Sequence, residues 1–101
     1  MNFIVSNNEI FVHDETGTKI ISVKIPEYNK EAVNIISVVV DKSLRGKGLA
    51  SKAMDFTYDY LVKHNLKAVL TCPYAIYWFD KNPDKKDILL DPKLNNEACI
   101  I

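Results

Sequence analysis

Cysteine is scarce in this chain: Cys72 and Cys99 are the only two among 101 residues. Two thiols cannot build a disulfide framework, so both are read as reduced. Histidine is equally rare, and neither His13 nor His64 has a close Cys or His neighbour, so the paired spacing of a structural zinc site is missing and no metal is expected. Net charge is absent too. Thirteen Lys plus Arg balance thirteen Asp plus Glu, which withholds the broad positive field of a protein that lives on a nucleic-acid backbone. No apolar run approaches the roughly 18 residues of a membrane span, and the N-terminus lacks the basic-then-apolar pattern of a secretion signal. The expectation is a soluble cytoplasmic protein that meets neither nucleic acid nor membrane.

What is present is an ordinary globular composition, 48% apolar and 26% charged, on a chain that can bury one core but not two. A single domain over residues 1–101 is expected, loosely ordered from residue 90. The first forty residues alternate β-type runs with turn signals, placing strands over residues 2–5, 9–13, 19–25 and 33–40. Ser6-Asn7-Asn8 and Asp14-Glu15-Thr16-Gly17 are tight-turn compositions, so hairpins make this part antiparallel, while residues 26–30 read as a longer connection.

Residues 33–40 are almost continuously apolar, with Ser37 the late polar interruption, which predicts one central strand covered on both faces. The period then changes to 3.6. Over residues 48–65, Lys52, Asp55, Asp59 and Lys63 share one face, and Leu49, Ala53, Phe56, Tyr60 and Leu61 fall on or near the other. A short strand follows over 68–71, Pro73 ends it, and a second helix is predicted over 74–81. The fold class is α/β of the α+β type: a mostly antiparallel central sheet, one long helix and a shorter helix towards the C-terminus.

Glycine is rare as well, yet two of the three glycines stand together in the basic segment Lys42-Ser43-Leu44-Arg45-Gly46-Lys47-Gly48-Leu49-Ala50 between the apolar strand and the long helix. Backbone donors at a helix start have no intrahelical partner, and the macrodipole is positive there, so such a junction suits a phosphate or pyrophosphate. The bland alternative is that Gly46 and Gly48 only permit a strand-to-helix turn. A dinucleotide fingerprint needs a glycine where Ser51 stands and a later acidic residue at a strand end; a P-loop needs Ser or Thr after Gly46-Lys47, where Gly48 stands.

Arg45, Gly48 and Ala50 match the pattern of Gln or Arg, two residues, Gly, one residue, Gly or Ala. On these residues, and on the order of elements over most of the chain, the sequence resembles the GNAT superfamily of acyl-CoA N-acyltransferases. Thr71-Cys72-Pro73-Tyr74, Tyr77-Trp78-Phe79 and Asn82-Pro83-Asp84 resemble a small single-domain branch with a Cys-Pro-aromatic motif. That branch often carries a His-Thr pair in the strand before the loop, where this chain has Ser37 and Val38.

The resemblance implies acetyl-CoA, or CoA, as cofactor and an amine, small or exposed on a protein, as acceptor. It places the pyrophosphate on Gly46, Lys47, Gly48, Leu49, Ala50 and Ser51, with Arg45 supplying charge at the rim, and the pantetheine arm along Val38, Val39 and Val40. Acyl transfer needs a neutral nucleophile, a donor for the carbonyl oxygen and an acid for the thiolate. Tyr74, with Tyr77 as alternative, stands where the superfamily places that acid, and Ser37 or Asn34 could order a water as base. Cys72 reads as a nucleophile, an acid or base, or a buried small hydrophobe. Trp78 and Phe79 line either an acceptor pocket or the core, and neither histidine is placed at the chemistry. Three functions stay open: an N-acetyltransferase, a CoA-binding module without turnover, and an interaction domain without ligand. Nothing in the sequence separates a monomer from a homodimer.

Overall fold

The computed structural model describes residues 2–90. Short β-type runs meet through turns whose residues tolerate positive φ. Asn7 and Asn8, at φ 52 and 61, make the two-residue connection between β1 (Ile4–Ser6) and β2 (Glu9–His13), as hairpins with a right-handed twist require. The Asp14 carboxylate accepts from the backbone N–H of Thr16 and Thr18 at 2.9 and 3.1 Å, closing the turn into β3 (Lys19–Lys24). Strand β4 (Glu27–Asn29), β5 (Ala32–Ile35) and β6 (Ser37–Val40) follow, then α1 (Leu49–Lys63), β7 (Lys67–Leu70) and α2 (Pro73–Lys81).

Four strands form an antiparallel sheet in the order β1-β2-β3-β6, and three form a second sheet in the order β4-β5-β7. The two are continuous through the β3–β4 and β5–β6 segments. Strands β5 and β7 are parallel, joined by the α1 crossover, with Ile35 opposite Leu70. One face of the first sheet carries Ile10, Val12, Ile21, Val23 and Val40, all buried under Ala53, Met54 and Leu61 of α1 and Ala75, Trp78 and Phe79 of α2. Lys52, Asp55, Asp59 and Lys63 are exposed on the opposite side of α1, as the 3.6 period requires. No described helix is long and apolar enough to cross a membrane.

Two expectations are corrected. Residues 33–40 are two strands, because Ile36 interrupts the ladder: its N–H donates to the Lys24 carbonyl at 3.1 Å while Ser37 is the register partner of the same Lys24. Two residues opposite one make a β-bulge. The bulge reverses the alternation of side chains, so Ile35, Val38 and Val40 face the core side while Asn34, Ile36, Ser37 and Val39 face outward. Coverage on both faces therefore fails: Val39 is 51% exposed. Secondly, residues 27–29, expected in a connection, form β4, whose three exposed residues pair along β5. A 3₁₀ turn over Pro83–Ile88, a segment without apolar periodicity, carries Leu89 into a parallel bridge with Ala68. The expectation for the tail falls on residues 90–101, of which only Leu90 is described.

Candidate functional site

The segment after β6 is organised by short-range polar contacts. Asp41 accepts from the Ser43 N–H at 3.1 Å and from the Ser43 hydroxyl, closing a 3₁₀ turn over Lys42–Leu44. Those two Ser43 bonds, hydroxyl first, hold the Asp41 carboxyl below its ordinary range. Gly46 and Gly48 then take φ 85 and 73, a region that costs most other residues about 1–2 kcal/mol. A Cβ at either position would meet nothing within 4 Å. Conformation rather than crowding calls for glycine here, and the space above the loop is open.

Gly48 caps α1 without a side chain, and no acidic residue stands in the first turn. The first helical bond runs from the Lys52 N–H to the Gly48 carbonyl at 3.1 Å. The N–H groups of Leu49, Ala50 and Ser51 therefore have no acceptor among the described residues, at the positive end of a 15-residue helix dipole. Lys42, Arg45, Lys47 and Lys52 are exposed around them.

Among the described residues the edge of β6 away from β3 is free, and it continues this donor surface. The Asp41 N–H bonds to Ile20 at 2.7 Å and Ser37 pairs with Lys24, so Ser37, Val39 and Asp41 turn their backbone groups to β3. By alternation, Val38 and Val40 turn theirs the other way, where β7 has already ended opposite Ile35. The Val40 carbonyl on that side accepts from Arg45 Nε at 3.2 Å, which fixes the guanidinium beside the strand end. At the vertex of the splay the Ile35 carbonyl accepts from the N–H groups of Thr71 and Cys72 at 3.1 and 3.0 Å.

A cleft of about 120 Å³ lies between the loop and α2, lined by Val40, Arg45, Gly46, Gly48, Leu49, Ala50, Ser51 and Tyr74 of the sequence-predicted set. Leu44 completes the lining. Its role was not readable because an apolar residue in a basic loop carries no motif. Lys47 is exposed on the loop, Val38 contributes its backbone edge, and the Val39 side chain faces away. Tyr74, half-buried in the first turn of α2, keeps its proton more tightly than an ordinary phenol; burial is the main cause, followed by Tyr77 and Asp55, while the Ser51 hydroxyl acts in the opposite direction.

Ser37 and Cys72 are not brought into the cleft. Ser37 is half-buried on the outer face beside Lys24. Cys72 is 6% exposed and precedes α2, where Pro73 occupies the first turn and needs no acceptor for its nitrogen. Trp78 and Phe79 are core residues, packed edge to face at 5.0 Å. His64 lies against Tyr60 at the far end of α1, and His13 is exposed on β2. Among the described residues no three His, Cys, Asp or Glu side chains gather where a metal could be held.

A family model described as GCN5-related N-acetyl-transferase matches residues 9–88. The solution structure of a GCN5-like protein from Staphylococcus aureus superposes with a TM-score of 0.71 at 20% identity, over 88% of this chain and 87% of that one. The crystal structure of glucosamine-6-phosphate N-acetyltransferase from Arabidopsis thaliana superposes with a TM-score of 0.51 at 27% identity, over 74% of this chain and 58% of that one. No curated protein sequence matches the chain.

Proposed function

Since this chain belongs to the GCN5-related N-acetyltransferase family, we propose that it binds acetyl-CoA along the glycine loop and the free edge of β6 and transfers the acetyl group to an amine. One observation carries the reading: among the described residues the N–H groups of Leu49, Ala50 and Ser51 have no acceptor and lie under an open basic loop that follows directly on an unpaired strand edge. A pyrophosphate satisfies the first and a chain of amides the second.

Bound acetyl-CoA supplies an acetyl thioester, whose transfer forms a C–N bond and releases a thiol. In this reading Leu49, Ala50 and Ser51 hold the pyrophosphate through their N–H groups, and Gly46 and Gly48 let it approach. Arg45 and Lys47 add charge at the rim. Val38 and Val40 offer their outward backbone groups to the pantetheine amides, and a Val38 N–H that donates to the carbonyl oxygen would favour the charge developing there. Tyr74 holds a proton at Oη for the departing sulfur and keeps it throughout the neutral range, since burial raises the phenol above its ordinary value. Ser37 stands at the vertex on the side open to an incoming amine, and Cys72 packs the vertex from within.

Titration of CoA into the protein, followed through its amide resonances, tests the binding step. Shifts at Gly46 to Ser51 are expected; their absence at millimolar CoA overturns the reading. Release of free thiol from acetyl-CoA in the presence of amines tests the transfer. A module that binds CoA without turnover is the second reading, favoured by one observation: Asn34, Ile35, Ile36, Ser37, Thr71 and Cys72 at the vertex include neither carboxylate nor imidazole. Binding with no thiol release across an amine panel, and no effect of Tyr74→Phe or Cys72→Ala, would establish it.

A further inference from the structure

On the outer face of the first sheet the register aligns Ser6, Glu9, Lys24 and Ser37 in one row across four strands. Helices α1 and α2 close the inner face, and among the described residues no helix covers the outer one, where Val39 and Ile36 are 51% and 41% exposed. In the acetyl-transfer reading the amine comes to the vertex of the splay from this outer face, opposite the helices. Beside Ile36 it meets a cleft of about 240 Å³ lined by Asn7, Asn8, Glu9, Lys24, Pro26 and Ile36.

The charges in this cleft are unequal in their availability. Glu9 is already engaged at both oxygens: Oε1 accepts from Lys19 Nζ at 2.7 Å and Oε2 from the Ser22 hydroxyl at 2.5 Å. Lys19 is further held over the Phe11 ring at 4.5 Å. Lys24 has no ion pair among the described residues, and the side-chain amides of Asn7 and Asn8 have no protein partner there either. Lys24 stands opposite Glu9 in the register and helps to lower its carboxyl without pairing with it directly. The cleft thus offers a cation with no direct ion pair and two amide donors, while both oxygens of its one carboxylate already accept hydrogen bonds from Lys19 and Ser22.

We propose that the acceptor is an amine that also bears an anionic group, a carboxylate or a phosphate, which Lys24 and the Asn7 and Asn8 amides hold beside Ile36 while the nitrogen reaches the vertex at Ser37. This assignment rests on the acetyl-transfer reading above.

Three probes with the same two-carbon amine distinguish the sources: O-phosphoethanolamine, β-alanine and ethanolamine, each titrated into CoA-loaded and CoA-free protein while amide shifts are followed at Asn8, Lys24 and Ile36. We expect saturable shifts with one or both anionic probes and none with ethanolamine, the stronger of the two anionic probes identifying phosphate or carboxylate. Lys24→Ala should weaken that binding by about tenfold, as loss of a charge-assisted bond would. Ethanolamine acting equally, silence of all three probes, or an unchanged affinity in Lys24→Ala overturns the assignment. The CoA response at Gly46 to Ser51 is read separately, so its failure removes the acetyl-transfer reading without being confused with failure of the cleft.

Discussion

The indole Nε1–H of Trp78 donates to the hydroxyl of Ser51 across 3.0 Å, tying the buried face of α2 to the first turn of α1. Trp78 is 3% exposed, so this is its indole's means of satisfaction. The bond joins the helix that presents Tyr74 to the turn whose backbone donors face the cleft. Removing the hydroxyl leaves the indole donor buried and unpaired, at a cost of about 1–3 kcal/mol. Ser51→Ala should therefore lower the thermal midpoint by about 4–8 °C per kcal/mol lost in a domain of this size. Ser51→Thr, which retains a hydroxyl, should recover part of it; equal melting of Ser51→Ala and the parent would show that Trp78 finds another partner.

Gly48→Ala is expected to cost about 1–2 kcal/mol, all of it backbone strain at φ 73, because the added methyl has open space around it. Gly48→Asn should cost less, since asparagine visits this conformation more readily. Denaturant melts of the two variants check the order, and a larger loss for Asn than for Ala would contradict the strain account.

Tyr74→Phe keeps the ring and removes the proton. If Tyr74 protonates the departing sulfur, turnover should fall by about 10²-fold or more with CoA affinity preserved. Because the phenol is raised above its ordinary 10.0, it stays protonated throughout the neutral range. Any alkaline fall in rate due to Tyr74 must then lie above pH 10 and vanish in the phenylalanine variant, which a pH profile of thiol release reads directly.

Glu9 provides an acid-sensitive element of stability. Its carboxyl, 14% exposed, is lowered from 4.5 chiefly by the hydrogen bond from Lys19 and then by that from Ser22. The unfolded chain binds this proton more readily than the folded one, so the stabilisation is complete above about pH 4.5 and is lost as pH falls through the lower folded value. Glu9→Gln should destabilise by about 1 kcal/mol at pH 7. The difference from the parent should shrink towards pH 3, and a difference independent of pH would point to packing instead.

The hairpin turns and both helices were legible because their signals are local: Asn7-Asn8 and Gly17 permit positive φ, and α1 alternates exposed charge with buried carbon at a period of 3.6. The break at Ile36 was not, since the run from Val33 to Val40 has no Gly or Pro at that point and apolar side chains serve both its buried and its exposed positions. Strand β4 carries no local signal because Glu27, Tyr28 and Asn29 are all exposed and owe their pairing to β5. The glycine loop announced itself through composition. The Trp78–Ser51 bond and the alignment of Lys24 with Ser37 did not, because each joins residues distant in sequence through tertiary packing or strand register.

The single extra residue at Ile36 has a consequence for how this chain tolerates insertion and deletion. Removing it would leave Ser37 alone opposite Lys24, so Val38, Val39 and Val40 would keep their present faces and their present partners on β3. What would go is the bend and added twist that a bulge gives its strand, just where β6 parts from β7 beyond the Ile35–Leu70 pair. Deletion at residue 36 should accordingly act on the width of the gap and leave the glycine loop on its present face, whereas one residue gained or lost within 38–40 would carry every later side chain to the other face.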